Sequence, residues 1–216
     1  MAPAQDAQSL LAEAFRLHQS GQLKQAGGAY LKVLQVEPNN FDALHLLGLV
    51  ARAQGDHATA EQMIRKALTV KPNYADAHYN LGNTLMDLGR MVEAIECYRD
   101  ALRIEPRNVA NHYNIGNALR ALNRTPEAIV AYRTALAGKP DYVEAWHNLG
   151  TALRDEGAYG DALIALRRET RERQRHDQQR QQDQQKRQQE EQQKKQQEQQ
   201  KQPKQPEQPK QPEQKK

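Results

Sequence analysis

Three asparagines, Asn80, Asn114 and Asn148, stand 34 residues apart, and Asn83 and Asn117 follow the first two by three residues. A side-chain amide offers two donors and one acceptor, the complement of a peptide unit, so a row of them can hold an extended backbone whatever its sequence. Arg52, Arg120 and Arg154 keep a related beat, and guanidinium groups so placed would favour acidic segments or a chain-terminal carboxylate. Catalytic patterns are missing from the chain. Its histidines form no His-Glu-x-x-His pair, Cys97 has no Cys-x-x-Cys partner or nearby base, and no glycine-rich phosphate loop occurs. Cys97 therefore reads as an unreactive surface or half-buried thiol. The expected chemistry is binding, with no metal, no cofactor and no small-molecule substrate.

What must position these side chains is a repeat. The hexapeptide HYNLGN at residues 78–83 returns as HYNIGN at 112–117, and Leu44-His45-Leu46-Leu47-Gly48 and Trp146-His147-Asn148-Leu149-Gly150 keep the same register. Pro38, Pro72, Pro106 and Pro140 share that interval, and each follows an apolar-periodic stretch that a proline would stop. Gly21, Gly55, Gly89, Asn123 and Gly157 fall near the middle of each unit, where glycine or asparagine suits a left-handed turn after a helix. Each unit is thus helix, turn, helix, stop, over 7–40, 41–74, 75–108, 109–142 and a partial 143–169. Numbered within a unit, positions 4, 7, 8 and 11 make one face of the first helix, and 20, 24 and 27 one face of the second. One pair cannot bury those faces, whereas stacked pairs can.

Composition divides the chain at the same place. Residues 170–216 hold no aliphatic or aromatic side chain and carry +5 of the net charge of +4, which leaves −1 for the repeats. The basic pI therefore belongs to the tail and is weak support for a nucleic-acid or membrane partner. Residues 170–202 are good helix formers without an apolar face, a helix expected to fray, and 203–216 place proline every third residue in a polyproline-like, disordered end. Residues 1–6 read as a flexible start. The start lacks a charged and apolar leader, and no stretch approaches membrane-spanning length, so the expectation is a cytoplasmic protein.

The 34-residue unit, with aromatic or histidine at 4, Leu-Gly at 7 and 8, Ala at 20, Tyr at 24, Ala at 27 and Pro at 32, resembles the tetratricopeptide repeat (TPR) family. That resemblance implies an all-α, right-handed solenoid of about five helix pairs, followed by the polar low-complexity tail. It also implies that first helices line a concave groove. Two departures fall in the first unit: Glu13-Ala14 replaces Leu-Gly, and Gly27-Gly28 weakens its second helix, so that unit should be the softest. Pro126 sits in a first turn, where its missing donor is harmless.

On this scheme the groove residues are Tyr79, Asn80, Asn83, Tyr113, Asn114, Asn117, His147, Asn148 and Thr151, with Arg52, Arg120 and Arg154 at position 12. Two readings stand side by side. In one, the asparagines clamp an extended protein or peptide ligand, with a preference for acidic segments. In the other, they are what an average repeat of this family carries. The row is similar at position 6 to the repeat region of O-linked N-acetylglucosamine transferases and their bacterial look-alikes. A non-enzymatic adaptor is the first functional reading, and the recognition part of a TPR-containing glycosyltransferase or other transferase lacking its catalytic domain is the alternative. The lysine and asparagine of the chaperone-tail clamp are absent from positions 5 and 9, which hold Leu11 and Phe15, then His45 and Leu49. Leu149, Leu153, Leu163 and Leu166 lack a following unit to cover them, which suggests weak self-association at that end.

Overall fold

The computed structural model describes residues 6–201, which form ten helices and no strand. They are α1 (Ala7–Gln19), α2 (Leu23–Val36), α3 (Phe41–Ala53), α4 (His57–Val70), α5 (Ala75–Asp87), α6 (Met91–Ile104), α7 (Val109–Ala121), α8 (Thr125–Gly138), α9 (Val143–Asp155) and α10 (Tyr159–Lys201). Each break falls where the repeat places it. The mid-unit residues Gly21, Gly55, Gly89 and Gly157 have φ of 74–82°, and Asn123 has φ 58°. That left-handed backbone strains any side chain with a Cβ, and asparagine tolerates it best. Second helices stop at Val36, Val70, Ile104 and Gly138, two residues before each proline.

Local side chains set the starts. Asp6, Asn40, Asp56 and Asn108 accept backbone N–H bonds from Ser9, Ala43, Thr59 and Asn111 at 2.7–3.4 Å, closing donors that the first turn leaves open. Asp6 is therefore an ordered cap, while residues 1–5 and 202–216, with the proline-rich end, lie outside the described residues.

The chain divides into two compact units, Met1–Thr170 and Arg171–Lys216. In the first, consecutive helices pack as an α-solenoid around two clusters. One cluster joins α1 and α2 to α3 through Leu10, Tyr30, Val33, Leu47 and Val50. The other runs from Phe41 to Ala165. Close approach depends on position 8: a Cβ on Gly82 or Gly116 would lie 2.5 Å from the ring of Tyr98 or Tyr132, and one on Gly48 2.6 Å from Ile64. In the second unit α10 continues as polar helix to Lys201, with Arg175 paired to Glu172 at 2.7 Å. Good helix formers carry it there without an apolar face.

At the end of the stack the structure corrects an expectation. Leu149 and Leu153 are buried, clustered with Ala162 and Ala165 of α10. Leu163 is exposed and Leu166 half-buried; Leu163 stands at position 21, whose counterparts Ile95 and Ile129 in inner units, each followed by another unit, are buried.

Gly27 and Gly28 lie inside α2, where a Cβ on Gly27 would make ordinary contact with Val50 and Leu47 (3.5 and 3.9 Å) and one on Gly28 would meet nothing within 4 Å. The Gly27→Ala, Gly28→Ala double variant is expected to gain about 1–2 kcal/mol by helix propensity. Urea unfolding should show a raised midpoint, and amide exchange should slow in α1 and α2 first. An unchanged midpoint would show that the two glycines do not weaken the first unit.

Candidate functional site

The candidate residues occupy successive first helices, and the structure links them to one another. Asn114 Nδ2 donates to Asn83 Oδ1 at 2.9 Å, and the same oxygen accepts from the Tyr98 hydroxyl at 2.9 Å. One repeat later Asn148 Nδ2 donates to Asn117 Oδ1 at 2.8 Å and to the Tyr113 hydroxyl at 3.0 Å, while the Tyr132 hydroxyl donates to Asn117 Oδ1 at 2.8 Å. The two position-9 amide oxygens, of Asn83 and Asn117, thus each accept two hydrogen bonds. What the row keeps for a ligand is the position-6 oxygens and the position-9 NH₂ groups. Burial raises the hydroxyls of Tyr98 and Tyr132, the latter to about 12, so both act as neutral donors.

At the other end of the row the partner changes. Asn80 Nδ2 donates to His45 Nε2 at 3.1 Å, and the buried imidazole sits among the rings of Phe41 and Tyr74 at 5.7 and 5.8 Å. Burial lowers the His45 pKa below the usual histidine range, against the opposing charges of Asp76 and Asp42. The bond and the burial both require the neutral ring. A lowered folded pKa leaves stability intact above the unfolded value and removes it as pH falls, since only the unfolded chain then takes the proton. His112 is also lowered by burial and adds to the same slope. The urea midpoint should therefore fall between pH 7.5 and 5, above the range where carboxylates titrate, and His45→Gln should flatten much of that slope. A slope unchanged in His45→Gln would assign it to other groups.

The arginines differ among themselves. Arg52 Nε donates to Asp87 Oδ2 at 2.6 Å, so its charge is matched across the repeat. Arg154 is exposed and lies 3.4 Å from Asp155. Arg120 lies in a depression with Asn117, Ala121, Asn123, Tyr132 and Asn148, an amide, guanidinium and phenol lining open to solvent. Tyr79 and Tyr113 are half-buried against Tyr98 and Tyr132, at 6.1 and 6.0 Å. His147 is exposed, with Nδ1 3.2 Å from Glu169, and the Thr151 hydroxyl is turned back to the His147 carbonyl at 3.1 Å. Cys97 is buried rather than at the surface or half-buried, with its thiol pushed up to about 11 mainly by burial, which fits the unreactive thiol that its spacing suggested. Among the described residues no group of His, Cys, Asp and Glu is arranged to hold a metal ion.

Sequence reasoning missed two devices. Position 4 does more than pack: His78 Nε2 donates to the Pro72 carbonyl at 2.7 Å and Trp146 Nε1 to the Pro140 carbonyl at 2.8 Å, fastening each helix to the preceding turn. The cross-repeat bonds were also unseen, although their partners stand 31 or 35 residues apart, three short of the repeat length or one beyond it. That offset was the available signal.

Models of the tetratricopeptide repeat match residues 29–62 and 75–108, and a TPR repeat model matches 52–89 and 116–157. The chain belongs to the tetratricopeptide repeat family. Among solved structures, this TPR chain is similar to MamA, at 22% identity over 76% of this chain and 96% of that one, with TM-score 0.74. MamA from Desulfovibrio magneticus RS-1 matches at 19% identity over 79% and 97%, with TM-score 0.76. YrrB, described as a TPR protein with an unusual peptide-binding site, matches at 22% identity over 77% and 86%, with TM-score 0.68. At these identities the likeness shows the fold. Among curated proteins none matches significantly.

Proposed function

We propose that this TPR protein is a non-enzymatic interaction scaffold that holds an extended peptide segment of a partner protein against its first helices. The depression at Asn117, Arg120, Tyr132 and Asn148 carries the reading, because it brings amide groups with spare capacity and a guanidinium to one open surface. Repeats spaced by helix packing, about 8–10 Å, would meet an extended chain roughly every third residue. YrrB, a protein of the same fold, is described as having a peptide-binding site, which supports the reading. The acidic preference rests on Arg120, since the Arg52 charge is already matched by Asp87. Among the described residues no helix is long and apolar enough to cross a membrane.

The test is a variant set measured against peptides selected from a displayed random library. Asn80→Ala, Asn114→Ala and Asn148→Ala should each weaken binding by about 0.5–1.5 kcal/mol, similarly across ligands. Arg120→Gln and Arg154→Gln should act on acidic ligands alone and lose effect as salt rises. Since the amides also bridge repeats, helicity and melting are recorded for every variant. Parental affinity in the triple asparagine variant, at equal helicity, would reduce the row to a device for stacking repeats.

A further inference from the structure

Position 9 of the first helix changes character along the stack. It reads Phe15, Leu49, Asn83, Asn117, Thr151, and position 6 reads Ala12, Leu46, Asn80, Asn114, Asn148. Asn83 and Asn117 accept the hydroxyl of the tyrosine at position 24, and no such bond is open to Phe15 or Leu49. In the first unit the Tyr30 hydroxyl turns instead to His18 Nδ1 at 3.3 Å, and the Phe15 ring is 46% exposed. Leu46 and Leu49 lie beside it in the row, each half-buried. Phe15 is exposed beside the cluster that includes Leu10, Leu47 and Val50, and Leu46 packs partly against that cluster, so the row presents apolar side chains here where later units present amides.

Charge is distributed the other way. At position 12 the guanidinium nearest the apolar end, Arg52, is neutralised by Asp87 at 2.6 Å, while Arg120 faces the amide-lined depression. The row therefore has two unlike ends, with amides between them.

The structure assigns this row a polarity: an apolar seat at Phe15, Leu46 and Leu49, and a carboxylate seat at Arg120. The assignment rests on the peptide-holding reading and names its ligand class. The occupant is an extended peptide bearing one or two bulky apolar side chains and, five to nine residues away, an acidic one. That spacing follows from two or three repeats at about 8–10 Å each, divided by about 3.3 Å per extended residue. The amides between the seats bind backbone and leave the intervening side chains free to vary. Apolar burial anchors one end, and a screened attraction selects and orients the other.

The experiment uses the full chain and a displayed library of random sixteen-residue peptides, followed by fluorescence anisotropy on synthetic copies of the selected sequences. Selected peptides should share an apolar cluster and an acidic residue at the stated separation. Phe15→Ser with Leu49→Ser should weaken them by about tenfold or more at any salt concentration. Arg120→Gln should weaken them by about tenfold at low salt, and should have no effect on peptides whose acid is replaced by its amide. Phe15 is exposed but Leu49 is half-buried, so helicity and melting are recorded for the double variant, and Phe15→Ser alone, which should show a smaller loss of the same kind, is measured beside it. The assignment is overturned if the selected peptides lack the paired feature or bind the Phe15→Ser, Leu49→Ser variant with parental affinity. A dimer of the free chain that Phe15→Ser dissolves overturns it as well, giving the apolar seat to a second copy. Hydrogen exchange separates the two levels. Peptides that protect α5 and α7 but lack the pairing refute the polarity alone, whereas no protection of those helices refutes the groove reading too.

Discussion

Asn111→Ala is expected to raise the free energy of unfolding by about 1–3 kcal/mol, the cost of a buried amide without partners. Asn111 is fully buried at position 3 of α7, and neither its Nδ2 nor its Oδ1 has a hydrogen-bond partner. The same position in three other units holds Ala43, Ala77 and Ala145, all fully buried, so the site is shaped for a methyl group. Truncation removes an unsatisfied donor and acceptor and forfeits no bond. The space left by the side chain costs less, since the neighbouring helices already close over alanine at the equivalent junctions. Urea unfolding should show a higher midpoint at an unchanged slope, which matters in a stack whose units can unfold separately. The reciprocal variant, Ala77→Asn, should lower the midpoint by a similar amount. A lower midpoint for Asn111→Ala would show that the amide is satisfied in solution, by a bound water for example.

Gly82→Ala and Gly116→Ala should each cost about 1–3 kcal/mol, although alanine is the better helix former by about 1 kcal/mol. The added Cβ would lie 2.5 Å from the ring of Tyr98 or Tyr132, a separation that forces the ring to move. The first unit combines Ala14 at position 8 with Tyr30 at position 24, but there Phe15 stands at position 9 and the Tyr30 hydroxyl bonds His18, so no amide bond has to be kept. Moving Tyr98 or Tyr132 would break the bond to Asn83 or Asn117 and disturb the amide row. Thermal melts should therefore show a loss of stability together with a loss of peptide affinity. Gly28→Ala, with open space at its Cβ, is the control that should gain stability. A Gly82→Ala protein as stable as the parent would show that the ring shifts at no cost.

The repeat made most of the fold legible. Turn residues, stop prolines and apolar faces act within a few residues of one another, and each is written several times in one register, so period and helix boundaries followed from spacing alone. The row at positions 6 and 9 was legible for the same reason, as was the break in it at Phe15 and Leu49. Which groups meet across the row was not. Whether Asn83 faces Asn114 or solvent, whether Arg52 finds Asp87, and whether Asn111 finds any partner depend on the angle and distance at which one helix pair packs on the next. Local spacing does not encode that rotation. The tertiary structure decided it, because a hydrogen bond tolerates only a few tenths of an ångström, while the hydrophobic pattern that stacks the repeats is satisfied over a broad range of packing angles.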